Sequence, residues 1–498
     1  MTGAAVARSA IPVRALKPER VRVGWLTLGV LLHCGILVAY SAKANDEFFL
    51  ALSGLIIVYG VALCAISLYT FLLVIPFNAL MGIAARYQFQ EQGAAVNVSD
   101  AFVLILLLGL VFRQRRFTLG ASTRLILLAY LGMLLSWLVS GQLSELIFSV
   151  LTITQYLIVM WAVFTEVRSR EAAWNLLAAW CVATTICSAM VIRSYFAADF
   201  LLLNMSAEYR LSYAELLRSG HVLYRATYFI AQFIFPLGMT ILCCLFALMK
   251  KKGGATLTFL AFASLLINLV AIVLMGNRTV LVSILVPVVG FSFFQGLRTG
   301  RISRLQALPI AALCIALLAG TIIAAVMPEN QLNVYLDRTT DPESLRLRAA
   351  VWSNVIPFVF SEPSLILFGM GPDASIRLSR TDKVMALYAT GRTLEGALDN
   401  SYLYLLFDYG VPVTIVLLVL GARAIRLTWR SGMGSIERMD LEAFLFGILA
   451  VVAVMGLTQQ YAASKAGFYF IQAIAMAECT HYLTSQSDRR ASGRTVRL

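Results

Sequence analysis

Residues 48–85 read FFLALSGLIIVYGVALCAISLYTFLLVIPFNALMGIAA, a run without a single Asp, Glu, Lys or Arg. Wound as one helix it would measure about 55 Å, against roughly 30 Å for the hydrocarbon core of a bilayer. One crossing cannot use that length, so the run reads as two spans divided near Ile66 to Thr70. A chain that crosses twice in one uncharged run is a polytopic membrane protein. Composition agrees: of 498 residues 60% are apolar and only 13% charged, and the mean hydropathy is +0.82, values outside the range of soluble domains.

Working outward from that run, residues 1–22 carry Arg8, Arg14, Lys17, Arg20 and Arg22 and give way to the apolar run Val23 to Ala42. This reads as an uncleaved anchor with its N-terminus inside, because a signal peptide has a shorter core and a small-residue cleavage site. On the other side, a polar interval with Arg86, Glu91 and Asp100 leads into a span over residues 101–112, which stops at Arg113-Gln-Arg-Arg116. Further spans are expected near 123–141, 146–164, 172–196, 226–249, 256–276, 279–296 and 307–327. After a long polar loop come 403–422, 441–459 and 466–483. The fold class is therefore all-α, with about 12–14 transmembrane helices and fourteen as the best count. The expected organisation is a transmembrane bundle over 1–326 that includes an outer loop near 197–225, a large outer loop with short helices over 327–402, C-terminal spans over 403–484, and a basic inner tail over 485–498.

The net charge of +14 would suit nucleic acid, but its distribution gives another account. With both termini inside, 25 of the 40 Lys/Arg fall on the inner face, among them Lys250-Lys-Lys252, Arg298, Arg301, Arg304, Arg423, Arg426 and Arg430. The positive-inside bias explains this balance, and no nucleic-acid partner is needed. The eight cysteines lie in or at the ends of apolar runs, with no disulfide framework or zinc spacing. Three histidines, His33, His221 and His481, are too dispersed for a haem relay or a metal cluster, which argues against a respiratory or copper protein. Asp337, Asp341 and Glu343 are oxygen donors close in sequence, but no second cluster completes an octahedral set, so no metal and no cofactor are expected.

The interval from Met327 to Tyr402 is out of character with the chain, holding seven Lys/Arg and nine Asp/Glu. A loop that long between spans is usually functional, and the charge assignment puts it outside. Ser344-Leu-Arg346-Leu-Arg348-Ala-Ala-Val-Trp352 reads as the start of an amphipathic helix on which Arg348 and Trp352, four apart, project together; a helix lying on the membrane surface is the plainer reading. Phe368-Gly-Met-Gly-Pro-Asp373 makes a turn whose plainer role is to end a helix. Leu398-Asp-Asn-Ser-Tyr402 puts a carboxylate and a carboxamide at the mouth of the next span, where both also suit an ordinary cap. Outside the loop, Arg278 in Gly276-Asn-Arg-Thr279 sits between two apolar runs at the outer face, a costly place for an arginine unless it snorkels. Arg225 opens another span on the same side, with His221 four residues earlier. Arginines and a carboxylate thus gather on one face, and arginine suits a bidentate grip on phosphate oxygens. An anionic lipid headgroup such as a diphosphate is the implied ligand.

An outer arginine between paired spans, a span-opening arginine, a large outer loop with Arg-x-x-x-Trp, a Gly-x-Gly-Pro turn, and Asp-Asn-Ser-Tyr-Leu leading to Tyr409-Gly-Val-Pro412 together resemble the O-antigen ligase and polysaccharide polymerase superfamily of bacterial inner membranes. The resemblance covers roughly the last 270 residues in motif terms and the whole chain in topology. It implies a GT-C-like, metal-independent glycosyltransferase working at the periplasmic face on undecaprenyl-diphosphate-linked glycan. Carried over, the clamp arginines fall on Arg278, Arg225 and Arg348, with Arg346 a close competitor. The position that is histidine in typical ligases falls on Asp399, which favours a polymerase of exopolysaccharide or O-antigen repeat units over a ligase to lipid A core. The expected catalytic set is Asp399, Arg278 and Arg348; Arg225, Arg346, His221, Trp352, Asn400 and Tyr402 are expected to bind diphosphate or sugar. A flippase and a chain-length regulator are the implied protein partners. A lipid-linked oligosaccharide flippase is the alternative of another class, but it would keep charges in a central cavity and show repeated halves.

Overall fold

A computed structural model of the chain describes residues 23–41, 46–81, 98–113, 115, 120–140, 143–196, 230–250, 254–275, 353, 355–371, 400–433, 439–455 and 466–491. Among them every regular element is an α-helix. In chain order these are α1 (Val23–Ser41), α2 (Asp46–Ile66), α3 (Leu68–Met81), α4 (Val98–Phe112), α5 (Ala121–Ser140), α6 (Leu143–Glu166), α7 (Arg170–Phe196), α8 (Ile230–Lys250), α9 (Gly254–Met275), the short α10 (Pro363–Phe368), α11 (Ser401–Met433), α12 (Met439–Met455) and α13 (Ala466–Ala491).

Four of these helices are long and apolar enough to cross a membrane, over Ala121–Ser140, Arg170–Arg193, Ala255–Ile272 and Ser401–Ser431. The chain is accordingly an all-α membrane protein. Its outer surface fits a lipid solvent, since Leu31, Val38, Val58, Leu104, Leu131, Leu138 and Phe259 all stand exposed. A surface so rich in large apolar side chains is one that a membrane covers. The expected spans at 279–296 and 307–327 lie outside the described residues.

The long uncharged run divides at Ser67, between α2 and α3, inside the interval 66–70. Helical hydrogen bonding continues on both sides of it, from Ser67 N to Leu63 O (2.8 Å) and from Phe71 N to Ser67 O (3.0 Å). The Ser67 hydroxyl accepts from Thr70 N at 3.2 Å, which makes it the N-cap of α3. Two helices run past their expected ends: α11 carries on through Arg423, Arg426 and Arg430 to Met433, and α13 reaches Ala491.

One apolar core runs through most of the bundle, with Trp180, Tyr469, Phe71, Phe102 and Ile36 among its largest buried side chains. Uncharged polar groups are threaded through it. Ser188 donates to Asn268 (2.7 Å), Asn268 to Thr185 (3.0 Å), and the Thr185 and Ser264 hydroxyls meet at 2.6 Å, joining α7 to α9. Trp180 Nε1 donates to Gln472 Oε1 and so joins α7 to α13. In lipid there is no water to hold such groups, so pairing across helices is how they are accommodated. Two acidic side chains are also fully buried, Asp408 in α11 and Glu442 at the start of α12.

Candidate site at the loop end of the bundle

Helix α11 cannot be continuous, and its sequence says why. Pro412 has no N–H, so the carbonyl four residues back, on Asp408, loses its helical donor and is crowded by the proline ring. The backbone yields at Gly410, with φ 79° and ψ −177°, a conformation open to glycine and costly for any residue with a Cβ. The break leaves carbonyls facing sideways, and a buried carbonyl must find a donor.

The donors come from the long loop. Within its described residues, 353 and 355–371, lies α10, which starts at Pro363 and stops at Gly369, where φ is 66° and the amide returns to Leu365 O at 2.9 Å. The next two amides do not close on their own helix. Met370 N donates to Phe407 O at 2.8 Å and Gly371 N to Asp408 O at 2.9 Å. A third donor arrives from α5: Ser136 Oγ lies 3.0 Å from Asp408 O and also hydrogen-bonds Phe368 O. The main chains cross with no room for side chains at the crossing. A Cβ on Gly369 would lie 2.5 Å from the carbonyl carbon of Asp408, and one on Gly410 would lie 2.8 Å from Ile366 O. Apolar contacts close the junction: Phe358 lies tilted against Phe407 with ring centroids 5.8 Å apart, and Val355 and Val359 are buried. Leu405, Tyr409 and Val413 pack on Ala129 of α5.

About two turns further out, α11 begins. Asn400 Oδ1 accepts from Tyr402 N (2.9 Å) and Leu403 N (3.1 Å), and its carbonyl accepts from Tyr404 N (2.9 Å). That is a complete N-cap. The Tyr402 hydroxyl donates to Ala453 O at 2.6 Å and pins the start of α11 to the end of α12. Asn400 and Tyr402 are the two site residues expected from sequence that the described structure contains, and both hold the entry of α11 in place. His221, Arg225, Arg278, Arg346, Arg348, Trp352 and Asp399 lie outside the described residues; Asp399 immediately precedes Asn400. The Gly-x-Gly-Pro turn and Tyr409-Gly-Val-Pro412, far apart in sequence, are brought into contact through residues 369–371 and the α11 break. Ser136 and Asp408 were not foreseen. Proline's effect on the fourth carbonyl back marks Asp408, whereas nothing in the α5 sequence singles out Ser136.

Charge collects at the other end of the bundle. Arg170 grips Glu442 with both terminal nitrogens, at 2.5 and 2.6 Å. Arg115 pairs with Glu166 at 3.1 Å, and Arg423 with Glu478 at 3.3 Å. Arg113 donates to the carbonyls of Cys64 and Ala65, and Ser431 meets His481 at 2.6 Å. Helix α5 measures the separation: Gly120 lies beside Glu478, whereas Ser136 touches Asp408, and the residues between rise about 24 Å. Among the described residues no group of three His, Cys, Asp or Glu could hold a metal ion. No protein-family model matches the chain, and no curated protein matches its sequence.

Proposed function

We propose that the chain is a polytopic glycosyltransferase of GT-C-like architecture with about fourteen spans, joining undecaprenyl-diphosphate-linked oligosaccharide repeat units into exopolysaccharide or O-antigen at the periplasmic face of a bacterial inner membrane. The observation that carries this reading is the docking of residues 355–371 on the end of the bundle that also holds the entry of α11, opposite the ion-paired end. A charged loop anchored there would stand over the mouth of the bundle beside Asp399, as a wall of a site between lipid and water requires.

The lipid diphosphate is already a good leaving group, so such a site has mainly to hold it and neutralise the charge that develops as it departs. Arg278, Arg225 and Arg348, with Arg346 adjacent, supply guanidinium forks for its oxygens. An acceptor sugar hydroxyl attacks the anomeric carbon, the carbon–oxygen bond to the diphosphate breaks, and the hydroxyl proton passes to Asp399, with inversion at carbon. His221 and Trp352 would contact sugar or diphosphate. Asn400 and Tyr402 would do so from the cap that they build.

Replacing Arg278 or Arg348 by Ala should abolish polymer while single lipid-linked repeat units accumulate and the protein still inserts. Normal polymer from either variant would sink the diphosphate clamp.

A further inference from the structure

We infer that the break in α11 is a socket for the loop, and that Pro412, Gly410, Gly369 and Ser136 are positioning residues that set residues 355–371 against the end of the bundle where α11 starts. The positioning role rests on the glycosyltransferase reading; the socket itself rests on hydrogen bonds alone.

Consider what each residue contributes. Pro412 is not the loop's hydrogen-bond partner, yet it creates the opening, because without its N–H the carbonyl of Asp408 loses its regular helical donor four residues on. Gly371 N and Ser136 Oγ fill that opening from two other parts of the chain, at 2.9 and 3.0 Å. Gly410 turns the backbone so that the Phe407 carbonyl is offered to Met370 N as well. Gly369 and Gly410 let the two main chains meet where a Cβ on either would collide with backbone. Ser136 shares its one hydroxyl proton between carbonyls of both partners, Phe368 and Asp408, so α5 fixes the crossing point. An ordinary proline kink in a membrane helix is relieved by neighbouring side chains or water. Here the relief is two consecutive main-chain amides of a loop, which specify its position and direction together.

Pro412→Ala tests this well. The side chain is exposed, so the change opens no cavity, and it restores an N–H that can close on Asp408 O within the helix. Gly410 can adopt helical angles, so α11 is free to heal and the loop loses its receptor. Hydrogen exchange followed by mass spectrometry on the full chain in detergent should then show residues 366–371 exchanging about tenfold faster or more, with α12 unchanged. Ser136→Ala should speed the same segment to a smaller degree, and Ser136→Thr, which keeps a hydroxyl, should restore protection. With lipid-linked repeat units as substrate, Pro412→Ala should lower the transfer rate about tenfold while the KM for donor holds, as expected when reacting parts are misplaced and the donor is still held. Unchanged exchange in both Pro412→Ala and Ser136→Ala would overturn the socket. Faster exchange with an undiminished transfer rate would overturn the positioning role. If the wild-type protein transfers no sugar, the glycosyltransferase reading falls, and the exchange result still decides the socket.

Discussion

The carboxamide of Asn400 holds two amides of the first turn of α11, and the residue before it in sequence is Asp399. Both were read as polar residues at the mouth of a span, equally suited to capping. The hydrogen bonds assign that duty to Asn400. Asn400→Ala should therefore destabilise the protein by about 1 kcal/mol, read as a shift in its unfolding in detergent, whereas Asn400→Asp keeps an oxygen acceptor and should hold. Asp399→Asn should behave in the opposite way. With the cap elsewhere, its unfolding should not move, while the transfer rate falls on the order of 100-fold if the carboxylate is the general base, with the KM for donor little changed. A normal rate from Asp399→Asn would remove it from the chemistry. Equal destabilisation by the Asp399 and Asn400 variants would mean that the cap is shared. This division was half legible: residue types and spacing announce a cap, but which oxygen reaches the amides depends on backbone angles that the sequence does not carry.

At the scale of helices, ends were set differently from what charge suggests. Arg423, Arg426 and Arg430 read as an inner loop because arginines stop spans, yet α11 continues through them. Arg423 is held by Glu478 of α13, so a charged stretch becomes a helix that leaves the apolar layer without unwinding. The break in α11 falls inside what reads in sequence as one span, 403–422, although the missing N–H of Pro412 is a mark of it. The Arg170–Glu442 pair was invisible for a different reason: its partners stand 272 residues apart, and no periodicity links them. This pair should dominate the stability of the charged end. Glu442 is wholly buried while Arg170 is about a third exposed (side-chain exposures 0% and 31%), so Arg170→Ala would take the counter-charge from a buried carboxylate that keeps the Thr484 hydroxyl at 3.4 Å. The cost should be about 3 kcal/mol, the lower end for breaking a buried pair because water already reaches the arginine. Arg423→Ala breaks a half-buried pair whose carboxylate still meets some water (side-chain exposures 34% and 17%), and should cost less, about 1 kcal/mol. Comparable losses from the two, measured by unfolding in detergent, would show that burial does not rank these pairs.

For the whole molecule, membrane character was legible from apolar runs alone, because helices in lipid must satisfy their backbone internally and advertise themselves by length. Which groups meet at each end was not, since α5, α11 and α13 come together from distant parts of the chain. The assembled bundle has a loop-docked end and an ion-paired end, and the proposed function requires the first to face outward. The positive-inside bias makes the same demand, because Arg113, Arg115, Arg168, Arg170 and Arg423 all belong to the other end. Single cysteines in a cysteine-free background can test it. Ser361, beside α10, and Arg168, between α6 and α7, are both exposed and lie at opposite ends, so neither substitution disturbs packing. In intact cells whose outer barrier is opened, a membrane-impermeant maleimide should label Ser361→Cys at once and leave Arg168→Cys unlabelled until the membrane is permeabilised. The reverse pattern would invert the molecule and place the loop in the cytoplasm, where a lipid-linked repeat unit awaiting polymerisation would not be found. Labelling of both from outside would mean that the two ends are not separated by a bilayer, and the socket would then have to be explained as a joint within a water-facing bundle.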